Sequence, residues 1–291
     1  MDDSQRDGAA DPPRIERPEG RDLAYAEYGA ADGTPVFAFH GVLGSRLGWS
    51  LFDEAAREQG VRLLAPERPG FGHSGFQRGR DLLDWPADVT ALADHLGVDR
   101  FGLVGFSGGG PHAVACAHAL PDQVRGVSLA GTVTPPSTHD RGRAYQRAVL
   151  DASGSVPGFS ATAFASASWL AKTSRPQFRA SLVASAGTPD RALFDSPVGD
   201  RLVDDAAEGF RAGGRGPAHD LELVGDDWGF DPAVDIPVTL YHGRADATVD
   251  LEMARAFGDL LPAADLHIGE GAHYSTLLDN RAALLRAATD A

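Results

Sequence analysis

Apolar runs of two kinds alternate along the chain. Short continuous runs stand at 35–39, 61–65, 101–105, 124–129, 238–242 and 265–268, and segments with helical spacing lie between them, at 82–96, 112–120, 251–260 and through Leu277 and Leu284. A strand covered on both faces reads as an unbroken apolar run, because no side of it meets water. The alternation therefore predicts an α/β fold, a mostly parallel sheet with helices on both faces. Ahead of it, 15–17 and 23–28 flank Glu19–Gly20 and read as an antiparallel hairpin. A further helix is expected through Phe52 and Ala56.

The rhythm changes from about 132 to 231, where Ala, Ser, Gly and Arg dominate and strand-like runs are few. A stretch of about 100 residues is too long for a structureless loop in a compact domain. It is expected to be a helical cap inserted into a core made of 21–131 and 232–291. Residues 1–20 are acidic and Pro-rich and are expected to be a flexible leader.

Composition narrows the possibilities. A formal net charge of −15 argues against a nucleic-acid partner, since phosphate binding needs clustered Lys and Arg. No run of about 18 apolar residues exists to span a membrane, and the N-terminus lacks the basic start and apolar stretch of a signal peptide. Cys116 is the single cysteine, which excludes an intramolecular disulfide and a multi-thiolate zinc site and fits a cytoplasmic location. Lys172 is the single lysine. A GC-rich genome and a salt-adapted host with an acidic, soluble surface both account for that bias.

The chemistry concentrates at strand ends. Gly105–Phe106–Ser107–Gly108–Gly109 follows an apolar strand and opens a helix, the context of a nucleophile elbow. A serine hydroxyl is a poor nucleophile near neutral pH and needs an adjacent base. Among ten histidines, His273 stands in a loop just after the last strand, whereas His112 and His118 lie on the helix after the elbow, His267 within a strand and His242 at the end of one. A base needs a carboxylate to fix its tautomer. Asp246 follows the preceding strand and would reach the same sheet edge; Asp250 looks like a helix N-cap, and Asp226, Asp227 and Asp235 fall before that strand. The catalytic residues expected are thus Ser107, Asp246 and His273, in an order unlike that of the chymotrypsin or subtilisin types. The backbone amides of Val42, in the loop after 35–39, and Gly108 are assigned to the oxyanion hole. His40 is read as a brace for that loop. Gly70–Phe71–Gly72–His73–Ser74–Gly75 fits a dinucleotide fingerprint in letters, but no helix opens behind it. No cofactor and no metal are expected.

Taken together, Phe39–His40–Gly41, Glu67–Arg68–Pro69–Gly70–Phe71–Gly72–His73–Ser74, the elbow, Gly243–Arg244–Ala245–Asp246 and Gly271–Ala272–His273 resemble the α/β-hydrolase family, over about residues 21 to 288 outside the insertion. The resemblance implies an eight-stranded sheet and a helical lid over the site after the sixth strand. The chain departs from the pattern at Glu67, where Asp is commoner, and at Val42–Leu43, which lack a proline. Serine at the elbow argues against epoxide hydrolase and haloalkane dehalogenase chemistry, for which related enzymes use Asp. The implied activity is hydrolysis of a small acyl substrate, a carboxylic ester by default, through an acyl-enzyme. Acyl transfer to another acceptor, carbon–carbon bond hydrolysis and cofactor-free perhydrolysis use the same triad, and a non-catalytic ligand receptor is the alternative outside enzymes. Phe164, Trp169 and Trp228 are candidate pocket lining from the lid.

Overall fold

The computed structural model describes residues 11–156 and 158–290. Strands β1 (Arg14–Arg17) and β2 (Arg21–Gly29) make the expected hairpin, turned by a short 3-10 segment at Pro18–Gly20. Strands β3 (Thr34–Phe39), β4 (Val61–Pro66), β5 (Phe101–Phe106), β6 (Val124–Ala130), β7 (Val238–Gly243) and β8 (Ala264–Gly269) follow. All eight form one sheet in the order β1-β2-β4-β3-β5-β6-β7-β8. β2 pairs antiparallel with β4, and every pairing from β4 to β8 is parallel.

Residues 1–10 of the expected leader lie outside the described residues. Its later part needs correction, because 14–17 are the edge strand of the sheet. Ile15 is buried there, and Arg17 and Arg21 both donate to Oδ1 of buried Asp88, at 2.8 and 2.7 Å. One apolar anchor and a shared carboxylate are enough to order the hairpin despite its Pro-rich approach.

Helices α1 (Asp53–Glu58), α2 (Trp85–Leu96) and α3 (Gly109–Ala119) connect the early strands. Between β6 and β7 the chain builds α4 (Ala144–Ser155), α5 (Phe159–Thr173), α6 (Arg175–Ser185), α7 (Thr188–Phe194), α8 (Pro197–Gly209) and α9 (Arg215–Gly225). Helices α10 (Leu251–Leu260), α11 (His273–Asp279) and α12 (Arg281–Thr289) complete the fold.

The pleat sorts the core into two layers. Phe37, Phe39, Leu103 and Leu129 face α2, α3 and α10, while Val36, Ala38, Val104 and Ala130 face α1 and α12. Successive side chains of a strand point to opposite faces, so a run apolar at every position can feed both layers. β5 is buried along its whole length. β8, at the open edge, alternates between half-buried and exposed positions. No helix among the described residues is long and apolar enough to cross a membrane.

Candidate active site

The site begins where β5 stops. Ser107 has φ +52°, the one positive φ at a non-glycine among the described residues. Such a conformation costs about 1–3 kcal/mol and persists only when its surroundings hold it. Here they do. Ser107 N–H donates to Ala130 O at 3.0 Å, and Ser107 O accepts from Gly110 and Val133 N–H at 3.0 and 3.1 Å. Strand and helix meet so closely that a Cβ at Gly105 would lie 2.8 Å from Gly110 Cα, which is why the elbow needs glycine there.

Asp246 follows β7 in a turn that its own side chain organises, with Oδ1 accepting from Thr248 and Val249 N–H at 2.7 and 2.9 Å. Its Oδ2 meets His273 Nδ1 at 2.8 Å. That bond places the proton on Nδ1 and leaves Nε2 as the basic nitrogen. Burial alone would raise the Asp246 carboxyl, but the His273 ring and the donors around it hold it below its ordinary range. Burial alone would lower His273; the charge and hydrogen bond of Asp246, aided by the charge of Asp190, hold it above its ordinary value. Ser107 and His273 line one cavity of about 550 Å³, and the His273 ring lies 4.8 Å, centroid to centroid, from Phe106.

The rival histidines are engaged elsewhere. His112 Nδ1 donates to Gly108 O at 2.9 Å, and burial pushes its ring down to about 4. His242 Nε2 donates to Val249 O at 3.1 Å. His118 packs on Phe230, and His267 stacks on Tyr241 and meets Asp265 at 2.9 Å. His40 lines the cavity, yet both of its nitrogens are occupied: Nδ1 donates to Gly41 O at 2.8 Å and Nε2 accepts from Arg68 N–H at 3.2 Å. Burial holds it neutral. It braces the loop.

Val42 lies directly against Gly108, where a Cβ would fall 3.3 Å from Val42 N. Neither amide is spent on another backbone group among the described residues. Val42 stands at the cavity wall and Gly108 just ahead of α3, so two amides without a backbone partner lie close together beside Ser107.

The sequence signature of the alpha/beta hydrolase fold matches residues 34–279. An uncharacterized hydrolase, YcgS, of Bacillus subtilis is 31% identical over 117 residues, 40% of this chain and 40% of that protein. A bifunctional esterase/perhydrolase, DCH, of Acinetobacter calcoaceticus is 32% identical over 119 residues, 40% of this chain and 43% of that protein. The chain thus matches about two-fifths of the length of these curated relatives. The crystal structure of a hydrolase from Pseudomonas aeruginosa superposes with a TM-score of 0.70 at 20% identity, covering 95% of this chain and 96% of that one. This chain belongs to the alpha/beta hydrolase fold family.

Family membership accounts for the sheet order and the elbow, but several site features were not expected from the sequence. His273 is the first residue of α11 rather than part of a flexible loop, and Ala272 N–H donates to Ser275 Oγ at 2.6 Å to start that helix. Of the three expected lining aromatics, Phe164 lines the cavity. Trp169 is exposed, and Trp228 is buried against Phe230 and Phe257 away from it. Trp49, Phe106, Tyr145 and Tyr274 are the aromatic walls that the sequence did not reveal.

Four carboxylates of the inserted helices were also missed. Asp220 of α9 is fully buried and binds Arg68 Nη2 at 2.8 Å and Arg80 Nη2 at 2.6 Å, while Arg68 donates to the carbonyls of His40 and Gly41. Glu208 of α8 binds Arg46 at 2.6 Å, and Arg46 also binds Glu67, at 2.5 Å. Glu67 in turn accepts from His73 N–H at 2.7 Å, so the Gly-rich decoy is a structural turn. Asp205 of α8 accepts from Ser45 N–H, Ser45 Oγ and Gly48 N–H at 2.9, 2.7 and 2.7 Å. Asp190 of α7 accepts from Tyr274 and Ser275 N–H, both at 2.8 Å. Each would pass in sequence for an acid on a solvated helix face. The single hint is that Asp220, Glu208 and Asp205 fall among apolar residues at helical spacing.

Proposed function

We propose that this protein is a serine hydrolase that cleaves carboxylic esters through an acyl-enzyme, with Ser107 as nucleophile, His273 as base and Asp246 as the acid that orients it. The observation that carries this reading is the strained serine facing the same cavity as a buried His–Asp pair joined at 2.8 Å. In the first step Ser107 Oγ attacks the ester carbonyl while His273 Nε2 takes the hydroxyl proton. The amides of Val42 and Gly108 hold the oxyanion. Collapse of the tetrahedral intermediate expels the alcohol, which leaves with the proton from His273. Water, deprotonated in turn by His273, then attacks the acyl-enzyme, frees the carboxylic acid and restores Ser107.

The cavity suggests the substrate class. Its walls are mostly apolar, from Val42, Trp49, Leu51, Val133, Leu202 and Leu277 among others, so an apolar acyl or alcohol group of modest size fits it. The esterase named among the relatives supports the ester. The helices between β6 and β7 supply part of these walls and are read as the lid.

The test is a panel of acyl esters of graded chain length on wild type and Ser107→Ala, with labelling by a fluorophosphonate. Wild type is expected to turn over short and medium apolar esters and to take the label, and the variant to do neither. Activity should rise with pH as His273 loses its proton, with a midpoint above the ordinary 6.5. Near-wild-type activity in Ser107→Ala would reject the assignment.

A further inference from the structure

Asp190 is the third residue of α7 in the inserted segment, far in sequence from the core residues it meets. Its side chain is fully buried and forms no ion pair with a cationic side chain among the described residues. Its two oxygens instead divide two main-chain amides between them: Oδ2 takes Tyr274 N–H and Oδ1 takes Ser275 N–H, each at 2.8 Å. These are the two residues directly after His273. The two amides stand in the first turn of α11, where a negative charge is favoured, and a carboxylate can serve both at once. The group nearby that gains positive charge during the proposed reaction is the His273 ring, which feels the charge of Asp190.

We propose that Asp190 is a positioning residue for the base: it sets the turn from which His273 projects and makes seating of the inserted helices a condition for an aligned, chargeable imidazole. The proposal rests on the reading of Ser107 and His273 as nucleophile and base. His273 is then held from two sides. Asp246, from the core, fixes Nδ1, while Asp190, from the insertion, fixes the backbone on the other side of the residue. The remaining charged or titratable groups around the ring are few. His242 on β7 stands 3.9 Å behind Asp246, Tyr241 on the same strand is stacked on His267, Tyr274 follows on α11, Arg191 follows Asp190 on α7, and Asp205 lines the same cavity. Asp190 is the acid among them that adds to Asp246 in favouring the protonated ring.

Asp190→Asn keeps the shape but removes the charge and turns an NH2 toward one of the two amides. It is expected to lower kcat by about 10-fold or more, as loss of alignment does, to leave KM within about twofold, and to move the acid limb of the pH profile to lower pH. Titration of the His273 ring by NMR should show the same downward move without any substrate. A variant with wild-type kcat and an unmoved ring titration would overturn the proposal. If wild type itself fails to react with the fluorophosphonate, the hydrolase reading falls, and the ring titration still tests the hold of Asp190 on His273. Should Asp190→Asn not fold, hydrogen exchange on wild type decides: Tyr274 and Ser275 amides protected to the level of α7 support the proposal, and unprotected amides reject it.

Discussion

The inserted helices share the apolar cluster of the sheet core, but their seam with it carries a second kind of joint, a set of buried carboxylates. Inside the core, two apolar layers grip the strands, and Phe37, Phe39, Phe101 and Trp85 are almost wholly removed from water. Each such side chain contributes on the order of 1.5–3 kcal/mol, without regard to direction. At the seam with the insertion, Asp190, Asp205, Glu208 and Asp220 reach from α7, α8 and α9 to named donors in the core. A buried ion pair gives little net stability against a well-packed apolar replacement, yet breaking one member is costly. The seam therefore fixes where the insertion sits more than it adds to stability. An apolar face alone would tolerate sliding; a carboxylate that must find two amides does not.

The largest expected effect falls on the core side. Ser107→Ala should lower ester turnover by about 10⁴-fold or more while leaving the fold intact, because it removes the hydroxyl proposed as nucleophile. Single-turnover kinetics and a thermal melt on one preparation separate the two effects. On the seam, Asp220→Ala leaves Arg68 and Arg80 buried without their carboxylate and should cost about 3–5 kcal/mol in urea unfolding. Turnover should fall with it, since Arg68 also holds the carbonyls of His40 and Gly41 next to Val42. Replacing the network with apolar residues of similar volume should cost less than the single change. If the single change costs under about 1 kcal/mol, the seam is not the specific joint described.

This division explains what could be read from the sequence. Strand positions were legible because burial on both faces leaves a continuous apolar run, as at Phe101–Phe106, and the observed strands extend the expected ones by one to three residues. The elbow was legible because strand, turn and helix lie next to one another in sequence. His273 and Asp246 are brought together by the parallel pairing of β7 and β8, which the alternation of elements implies. Asp190 and Asp220 were not legible. Their partners lie 84 and 152 positions away; the apolar neighbours of Asp220 at helical spacing hint at burial without pointing to a partner, and Asp190 lacks even that hint. Trp169 and Trp228 failed as lining for a related reason: helical spacing shows that a face is apolar but not whether it meets a cavity, the core or water.

Asp205 sharpens the comparison through pH. Burial pushes its carboxyl up to about 7 from the ordinary 3.8, and the donors from Ser45 and Gly48 offset this only in part. A carboxyl whose folded value is raised holds its proton more tightly in the native state. Its contribution to stability is therefore full below about pH 4 and is lost as pH rises through 7, over a range worth up to about 4 kcal/mol. Asp205→Asn keeps an oxygen for the same donors and removes the titration. Its stability relative to wild type should therefore improve between pH 4.5 and pH 8 in paired urea titrations, and an equal difference at both pH values would contradict the assignment.

The smallest effect should come from the residue next to it. Asp204 adjoins Asp205 on α8 and pairs with Arg175, but its side chain is 56% exposed and that of Arg175 is 46% exposed. Water and salt screen such a pair, and holding two long side chains in place offsets most of the attraction. Asp204→Ala should change stability by no more than about 0.5 kcal/mol, with little further change between low salt and 1 M salt. Two adjacent aspartates on one helix would then differ several-fold in effect, because α8 turns one toward the core loop and the other toward solvent. A loss above about 1 kcal/mol from Asp204→Ala would mean that the exposed pairs also fix the insertion, and the buried seam would have to share that role.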